Sequence, residues 1–544
     1  MGTRFDVTRR LGAGLITTGL LVALVVTSVA LLPPSGAGAA GPTVTNCNDS
    51  GAGSLRQAVA SAVSGDTVAF ALSPSCATIT LRSTIDIATN LTILGPGAGT
   101  LAVSGGGSVV FAVASEVTDA SVSGITIEDG STGIDNAGTV TVTGCTVRNN
   151  GGGIRNQGTL TVLDSTLSDN TVGGVNGSGG GGIENQGTAT VNDSTLEDNR
   201  AAHGVDGGAI ANYSGSLTIT DSTLSANRTG KGFGGGIYTR GGTTAITDST
   251  LSGNSSFDAG GGGIEDESGT VVISDSTLSD NSSLSRTGGG AIASDGAVDI
   301  SDSTLWDNSA PRGDGGGVSN TGTLTISNST LAGNGARRGG AIFTDASATV
   351  TASLLARSAG ADCSGTITDG GDNLDDDGSC ALDAATDLSD TPAGLDPAGL
   401  RANGGPTETI GLIPGSPALG AVADASLCAT RDQRGEPRPA PCDIGAVELT
   451  VPARAITSSD SATATVGVPF SFMVTTSGSP VPSITKSGAL PTGLRLVRNH
   501  DGTATISGKA TTAGTTHFTV DATFGAGRTK SVVSQTFSLT VDTA

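Results

Sequence analysis

Apolar and hydroxyl side chains alternate in short stretches of the chain, as in Leu217-Thr218-Ile219-Thr220 and Thr323-Leu324-Thr325-Ile326. A period of two marks a half-buried strand, whose successive side chains point to opposite faces. These strands recur inside a longer repeat. Leu-x-x-Asn places its Asn at Asn170, Asn199, Asn227, Asn254, Asn281, Asn308 and Asn334, with Val147 to Asn150 as a variant first copy. Gly-Gly-(Gly/Ala)-Ile places an apolar residue at Ile154, Ile183, Ile210, Ile237, Ile264, Ile292, Val318 and Ile342. Asp-Ser-Thr-Leu begins at Asp164, Asp193, Asp221, Asp248, Asp275 and Asp302, and Asn328 closes the series. The Asn-to-Asn steps are 20, 29, 28, 27, 27, 27 and 26 residues.

One such repeat is two or three short strands between Gly and Asn turns, and it cannot bury its apolar edge alone. Stacking copies in parallel register does so, with Ile on Ile and each backbone paired to the coils above and below. The pattern predicts an all-β, single-stranded parallel β-helix of about a dozen coils. Leucine-rich repeats are the nearest competitor, but their Leu spacing and helical return segment are absent. The recurrent Asn fits a ladder of side-chain amides running along the stack. The ends of the stack are sheet edges that need covering. Ser54 predicts the N-cap of a short helix over Leu55 to Val63, stopped by Gly65, as the lid on the first coil.

The N-terminus changes the picture from fold to location. Arg4, Arg9 and Arg10 precede an apolar run from Leu11 to Leu32, and Ala37-Gly38-Ala39 fits a cleavage site. Residues 1–40 are therefore a signal peptide or an uncleaved N-terminal anchor. Seven cysteines in an exported chain point to disulfides. Proximity pairs Cys47 with Cys76, Cys363 with Cys380 and Cys428 with Cys442, leaving Cys145 in the slot that Ser165, Ser194 and Ser222 fill in later coils. Residues 41–450 carry 17 basic and 45 acidic side chains. That acidic body disfavours nucleic acid, whose phosphates need clustered Lys and Arg.

Beyond the patterning, Gly207 to Ile210, Gly289 to Ile292 and Gly339 to Ile342 resemble the G-G-A-I signature of polymorphic outer-membrane-protein repeats, with Leu in place of Phe in the F-x-x-N partner motif. Asn48 to Ala58 resembles the opening of many secreted bacterial β-helix proteins. Gly371-Asp372-Asn373-Leu374, Asn403-Gly404-Gly405-Pro406-Thr407, Pro414-Gly415-Ser416-Pro417-Ala418 and Asp432-Gln433-Arg434-Gly435 through Cys442-Asp443-Ile444-Gly445 resemble the choice-of-anchor Q segment. That resemblance implies a right-handed β-helix exported to the cell surface. Val466 to Phe472, Leu490 to Leu494, Thr505 to Gly508 and Phe537 to Val541 resemble the immunoglobulin-like domains of bacterial surface proteins. Short alternating strands support a β-sandwich there independently. The expected organisation is a 1–40 export segment, a 41–65 capping segment, β-helix repeats over 66–362, a choice-of-anchor Q-like C-terminal part of the β-helix over 363–450, and an Ig-like β-sandwich over 451–544.

Three constellations could carry function. The loops between each Leu-x-x-Asn and the next Gly-Gly vary in length, and in solenoids such insertions map to one edge. They hold Arg200, His203, Arg228, Lys231, Phe233, Phe257, Arg286, Arg312, Arg337 and Arg338, and also the tripeptide Arg312-Gly313-Asp314. Arg228, Lys231, Phe233, Phe257, Arg286, Arg312, Arg337 and Arg338 are the ligand-binding candidates, since binding energy concentrates on aromatic and Arg side chains. Second, β-helices host pectate lyases and polygalacturonases. Strand alternation turns Tyr238, Arg240, Glu265, Glu267 and Asp295 outward on successive coils, and Arg240, Glu265, Glu267 and Asp295 are the catalytic candidates for such chemistry. No polygalacturonase-like His motif is present. Third, Asp164, Asp193, Asp221, Asp248, Asp275 and Asp302 stack into a file of carboxylates about 5 Å apart. Asx-turns at the corners account for them, with calcium between coils as the alternative. Asp372 to Asp377 looks superficially like a calcium loop but lacks the spacing, and is read as a solvated loop between two cysteines.

The resulting expectation is a secreted or surface-held scaffold that binds extracellular or cell-wall polysaccharide, or another cell surface, through the loop edge and the sandwich domain. No cofactor is expected, structural calcium being the open alternative. Membrane contact is expected only through the N-terminal segment if it stays uncleaved. A polysaccharide-active lyase or glycosidase is the rival reading, and a purely structural spacer a third.

Overall fold

The computed structural model describes residues 41–449 except 174–178, and residues 454–543 except 479–480, 500 and 525–530. The signal peptide or anchor expected at 1–40 lies outside the described residues. Among the described residues no helix is long and apolar enough to cross a membrane.

The repeats form a parallel β-helix followed by an Ig-like sandwich. One coil shows how sequence becomes structure. Ile183–Asn185, Thr188–Asn192, Thr195–Glu197 and Arg200–Ala201 are its four strands. Copies of each stack in register into an isoleucine sheet, a long-strand sheet, a leucine sheet and a short ladder. In the long strands the outer positions are mostly hydroxyl-bearing and exposed or half-buried, while Ala189 and Val191 are buried. Ile183 lies on Ile210, and Leu196 on Leu224. Full burial of each such side chain contributes about 2 kcal/mol, so the core is continuous because the columns are.

Residues in the left-handed region turn the chain at the corners of each coil. Asp164, Asp193, Asp221, Asp248, Asp275, Asp302 and Asn328 all have φ between 44 and 51°. Asp and Asn tolerate that region better than other side chains. Their conformation, rather than a side-chain Asx bond, is what the structure displays at this corner. The Ser that follows makes its own ladder: Ser165 N donates to Ser194 Oγ, Ser194 N to Ser222 Oγ and Ser222 N to Ser249 Oγ, each at 3.1 Å. Cys145 sits in this column, 2% exposed, and its N–H donates to Ser165 Oγ at 3.1 Å. It is a free thiol, and burial pushes it up to about 11.

The Asn ladder is continuous. Asn227 Nδ2 donates to Asn254 Oδ1, Asn254 Nδ2 to Asn281 Oδ1 and Asn281 Nδ2 to Asn308 Oδ1, all at 3.0 Å. A second, unpredicted ladder runs through Asn136, Asn156, Asn185 and Asn212 in the isoleucine sheet, with amide bonds of 2.7 to 2.8 Å. The short ladder was also unpredicted. It converts the first two residues of each presumed loop into a paired strand, so Arg228 is a strand residue.

The N-terminal lid is a helix over Leu55–Ser61, capped by Ser54 Oγ accepting from Gln57 N at 3.2 Å. It stops two residues short of Val63 because Ala62 is extended and Val63 is exposed. Disulfides join Cys47–Cys76, Cys363–Cys380 and Cys428–Cys442.

The 363–450 segment divides in two. Cys363–Ser364, Ile367–Asp369, Leu374–Asp375 and Leu388–Ser389 extend the coils. From 391 to 449 the chain forms no further coil strand and runs back as an irregular arm over the outer face of the leucine sheet. Gln433 fixes it there: Nε2 donates to Thr277 Oγ1 at 2.8 Å, and Oε1 accepts from Thr304 Oγ1 at 2.6 Å. Arg438, buried in the arm, donates to Asp302 Oδ1 and Asn328 Oδ1 at 3.3 Å, and to the carbonyls of Asp443 and Gly445.

In the sandwich, Ser461–Thr465, Ser531–Asp542, Gly514–Phe524 and Ser483–Ser487 make one sheet, and Pro469–Val474, Ala504–Lys509 and Leu494–Arg498 the other. Phe537 centres its core, with Phe472 and Phe518 at ring distances of 4.9 and 5.2 Å.

Candidate functional site

The stacked coils bring the variable loops to one edge, where two adjoining depressions form. The first, about 490 Å³, is lined by Arg200, His203, Arg228, Lys231, Phe257 and Asp258 among others. The second, about 400 Å³, is lined by Asp258, Arg286 and Arg312 with Leu284, Ser285 and Thr287. Arg200 and Arg228 face each other across the short ladder, one rung apart. From the rung of Arg200 to that of Arg312 is four steps, or about 19 Å. Phe257 is 58% exposed at the lip.

Arg200, Arg228, Lys231, Arg286 and Arg312 are exposed and take part in none of the ion pairs found among the described residues. Other arginines on the coils are neutralised by the chain itself. Arg148 pairs with Glu128 at 2.8 Å, Arg155 lies 3.8 Å from both Asp135 and Glu184, and Arg240 lies 3.6 Å from Glu267.

The remaining binding candidates are engaged by the chain itself. Arg338 forms a forked bond to Asp314, Nε to Oδ1 at 2.9 Å and Nη2 to Oδ2 at 2.7 Å, and its guanidinium stacks over Phe343. Arg337 stands 3.6 Å from the same carboxylate. Asp314 is only 6% exposed and held below the usual carboxylate range by Arg338. The tripeptide Arg312-Gly313-Asp314 is thus not displayed as a free unit. Phe233 faces the isoleucine sheet and stacks on Tyr238 at 6.1 Å, and its N–H donates to Asp206.

The four catalytic candidates fall on neighbouring coils. Tyr238 pairs with Glu265, and Arg240 follows Thr239 as Glu267 follows Asp266. Tyr238 Oη donates to Glu267, and Tyr213 packs edge-on against Tyr238 at 5.6 Å. Thr321 donates to Asp295. Arg240, Glu267 and Asp295 are exposed as expected, but Tyr238 and Glu265 are roofed, at 2% and 9% exposure. Glu265 Oε2 accepts from Gly261 N at 2.7 Å, within the loop that covers it. Burial pushes its carboxyl up to about 8.

Along the acid column, burial and the neighbouring carboxylate raise Asp221 and Asp248. Asp275 reaches about 6 and Asp302 about 7, chiefly through burial. Arg438 compensates the end of the column at Asp302. Among the described residues, the acidic side chains whose oxygens converge are elsewhere, at Asp362, Asp375 and Asp377. Asp375 and Asp377 belong to the Asp372 to Asp377 stretch expected to be a solvated loop, but Asp372 and Asp375 are buried, at 3% and 0% exposure. Strand patterning did not single out Asp362, which fills a position that is Gly or Ala in other coils.

A four-stranded parallel coil with a capped N-terminal end and an Ig-like appendage defines a β-solenoid protein with a C-terminal β-sandwich. Matches to the family described as "Right handed beta helix region" cover residues 78–246 and 207–373. Together they span more than half of the chain, and it belongs to that family. Residues 453–542 match the family described as "Putative Ig domain". Among solved structures, "Chimeric titin Z1Z2 functionalized with a KLER exogenous peptide from decorin" is 22% identical over 18% of this chain and 100% of that chain, with a TM-score of 0.15. That score carries no structural argument. No curated protein gives a significant match.

Proposed function

We propose that the protein is an extracellular or cell-surface scaffold that binds acidic polysaccharide along its loop edge. The β-helix and Ig-like domains fit a surface or polysaccharide-interacting protein, and the disulfides are consistent with an oxidising compartment. The observation that carries the finer reading is the group of five cations that make no ion pair among the described residues, on an otherwise acidic body. Cations on four of five successive rungs, with rungs about 5 Å apart, suit a polymer that repeats its carboxylates, because Arg recognises carboxylate as a planar fork. Phe257 adds an exposed ring against which a sugar face can pack. The anionic body repels the same polymer elsewhere, so the edge also sets orientation.

The test is affinity electrophoresis through gels containing an acidic or a neutral polysaccharide. The parent is retarded by the acidic one. Arg200→Ser/Arg228→Ser/Arg286→Ser/Arg312→Ser runs freely, and equal retardation of parent and variant refutes the proposal. Serine already occupies the ladder position of Arg228 in the next three rungs, at Ser255, Ser282 and Ser309, so the fold tolerates it.

One observation favours a second reading, a lyase or glycosidase on the isoleucine sheet. Glu265, raised to about 8 by burial, lies two residues from Glu267 on the same sheet face, and a raised carboxyl beside a second carboxyl is the pairing that acid–base chemistry uses. Release of reducing or unsaturated ends from an acidic polysaccharide, lost in Glu265→Gln, establishes it. Turnover that is absent, or unchanged in that variant, removes it.

A further inference from the structure

The last coil breaks two columns that the preceding coils keep. The residue before the inward Ile or Val is Gly153, Gly182, Ala209, Gly236, Gly263, Ala291, Gly317 or Ala341. In the last coil the inward residue is Cys363, paired with Ile342, and the residue before it is Asp362. The backbone pattern is unchanged: Ala341 N and Ile342 N donate to Asp362 O at 2.8 and 2.9 Å, just as Gly182 N and Ile183 N donate to Ala209 O. The second column is the inward leucine, which runs through Leu278, Leu305, Leu331 and Leu355 and ends on Asp375. Carboxylates have replaced a methyl-sized residue and a core leucine.

Both replacements are fully buried, Asp362 and Asp375 each at 0% exposure. With the exposed Asp377 they place one oxygen each within 4.8 Å of one another. Asp375 accepts from Cys380 N at 2.8 Å, and Asp377 from Asp362 N at 3.1 Å and Ser379 N at 2.9 Å. Among the described residues neither carboxylate oxygen of Asp362 receives a hydrogen bond of good geometry, although the Ser358 hydroxyl and the Asp376 carboxyl stand beside it. The arginine nearest in sequence, Arg357, turns its guanidinium away to the carbonyls of Leu395 and Asp396. A buried carboxylate without a partner is costly. A bound cation removes that cost.

We propose that Asp362, Asp375 and Asp377 hold a calcium ion at the C-terminal end of the β-helix. An all-oxygen set of three carboxylates suits a hard cation, and the exposed Asp377 side leaves room for water to complete the six to eight ligands that calcium takes. The ion ties the Asp362 segment to the 374–380 turn beside the Cys363–Cys380 disulfide. It acts as a second clip on the rung where the regular columns stop.

The test uses the full chain stripped with chelator, titrated with CaCl₂ by calorimetry and melted with and without the metal. The expected result is one strong site per chain and a rise in Tm on the order of 5 °C in calcium, with magnesium less effective. Asp377→Asn, at an exposed position, and Asp362→Asn both abolish the site and the Tm response. Metal-free Asp362→Asn melts no lower than the metal-free parent, because the amide needs no counter-charge. No heat and no Tm change up to about 10 mM calcium, alone or with a more stable Asp362→Asn, overturns the proposal in favour of a buried neutral acid. A calcium response that persists in Asp377→Asn overturns it in favour of another site.

Discussion

The loop edge and the outer face of the isoleucine sheet belong to the same coils and carry similar charged side chains, yet they are chemically opposite. On the sheet face Arg240 meets Glu267, Tyr238 donates to Glu267, and Glu265 lies under its own loop. On the edge Arg200, Arg228, Lys231, Arg286 and Arg312 meet no acid within ion-pair distance among the described residues, although acidic residues outnumber basic ones in the body. The difference shows that a charged residue outside the repeating core becomes a binding candidate only where the chain leaves it unsatisfied. Arg338 and Arg337 make the same point within the loops, since Asp314 engages them both.

The comparison can be stressed first by breaking what both regions rest on. Asn254 is fully buried and makes four ladder contacts, donating to Leu224 O and Asn281 Oδ1 and accepting from Asn227 N and Nδ2. Asn254→Ala leaves buried groups unpaired and costs on the order of 4 kcal/mol. Denaturant unfolding of this variant checks it, and a loss below about 1 kcal/mol contradicts the ladder's role.

The buried acids, Glu265 on the sheet face and others in the corner column and the arm, should reveal themselves through pH. Burial places Glu265 at about 8, Asp302 and Glu448 at about 7 and Asp275 at about 6 in the folded protein. Unfolded carboxyls titrate near 4, so between about pH 4 and 8 the folded state binds more protons. Stability from these groups is complete at the acid end of that window and is lost as pH rises through it. Melting in chelator at pH 5 and pH 8 should give the higher Tm at pH 5, whereas a Tm that rises toward pH 8 contradicts the burial of these acids. Glu265→Gln should flatten part of the slope and leave Tm at pH 8 equal to or above the parent's. Smaller still is Cys145→Ser, which keeps the column's hydrogen bonds and should change stability by less than about 1 kcal/mol. The native Cys145 thiol, raised to about 11, should resist alkylation until the protein unfolds.

The repeated part of this architecture was legible because a solenoid writes each core position many times. The Ile, Leu, Asn and Ser columns and the disulfide partners follow from spacing alone. What stayed hidden lacks a hydrophobic signature. The short ladder is two residues of mostly Ser, Ala and Arg, and its pairing comes from the stack rather than from alternation. The second Asn ladder carried a readable signal, an Asn two places after the inward Ile at Asn156, Asn185 and Asn212. The roof over Glu265 depends on loop conformation, which alternation does not report. The arm over 391–449 has no period, and it reaches the coils through single side chains such as Gln433 and Arg438. Asp362 and Asp375 become conspicuous only once register assigns them to core columns.

The central claim is that the unpaired edge binds a repeating polyanion. The most direct measurement is calorimetric titration of the parent and of Arg200→Ser/Arg228→Ser/Arg286→Ser/Arg312→Ser with a soluble polyuronate at low and at physiological salt. The account predicts parent binding that weakens as salt rises, and at least a tenfold loss, about 1.4 kcal/mol, in the variant with unchanged Tm. Binding of equal strength in both proteins, or parent binding indifferent to salt, would contradict it.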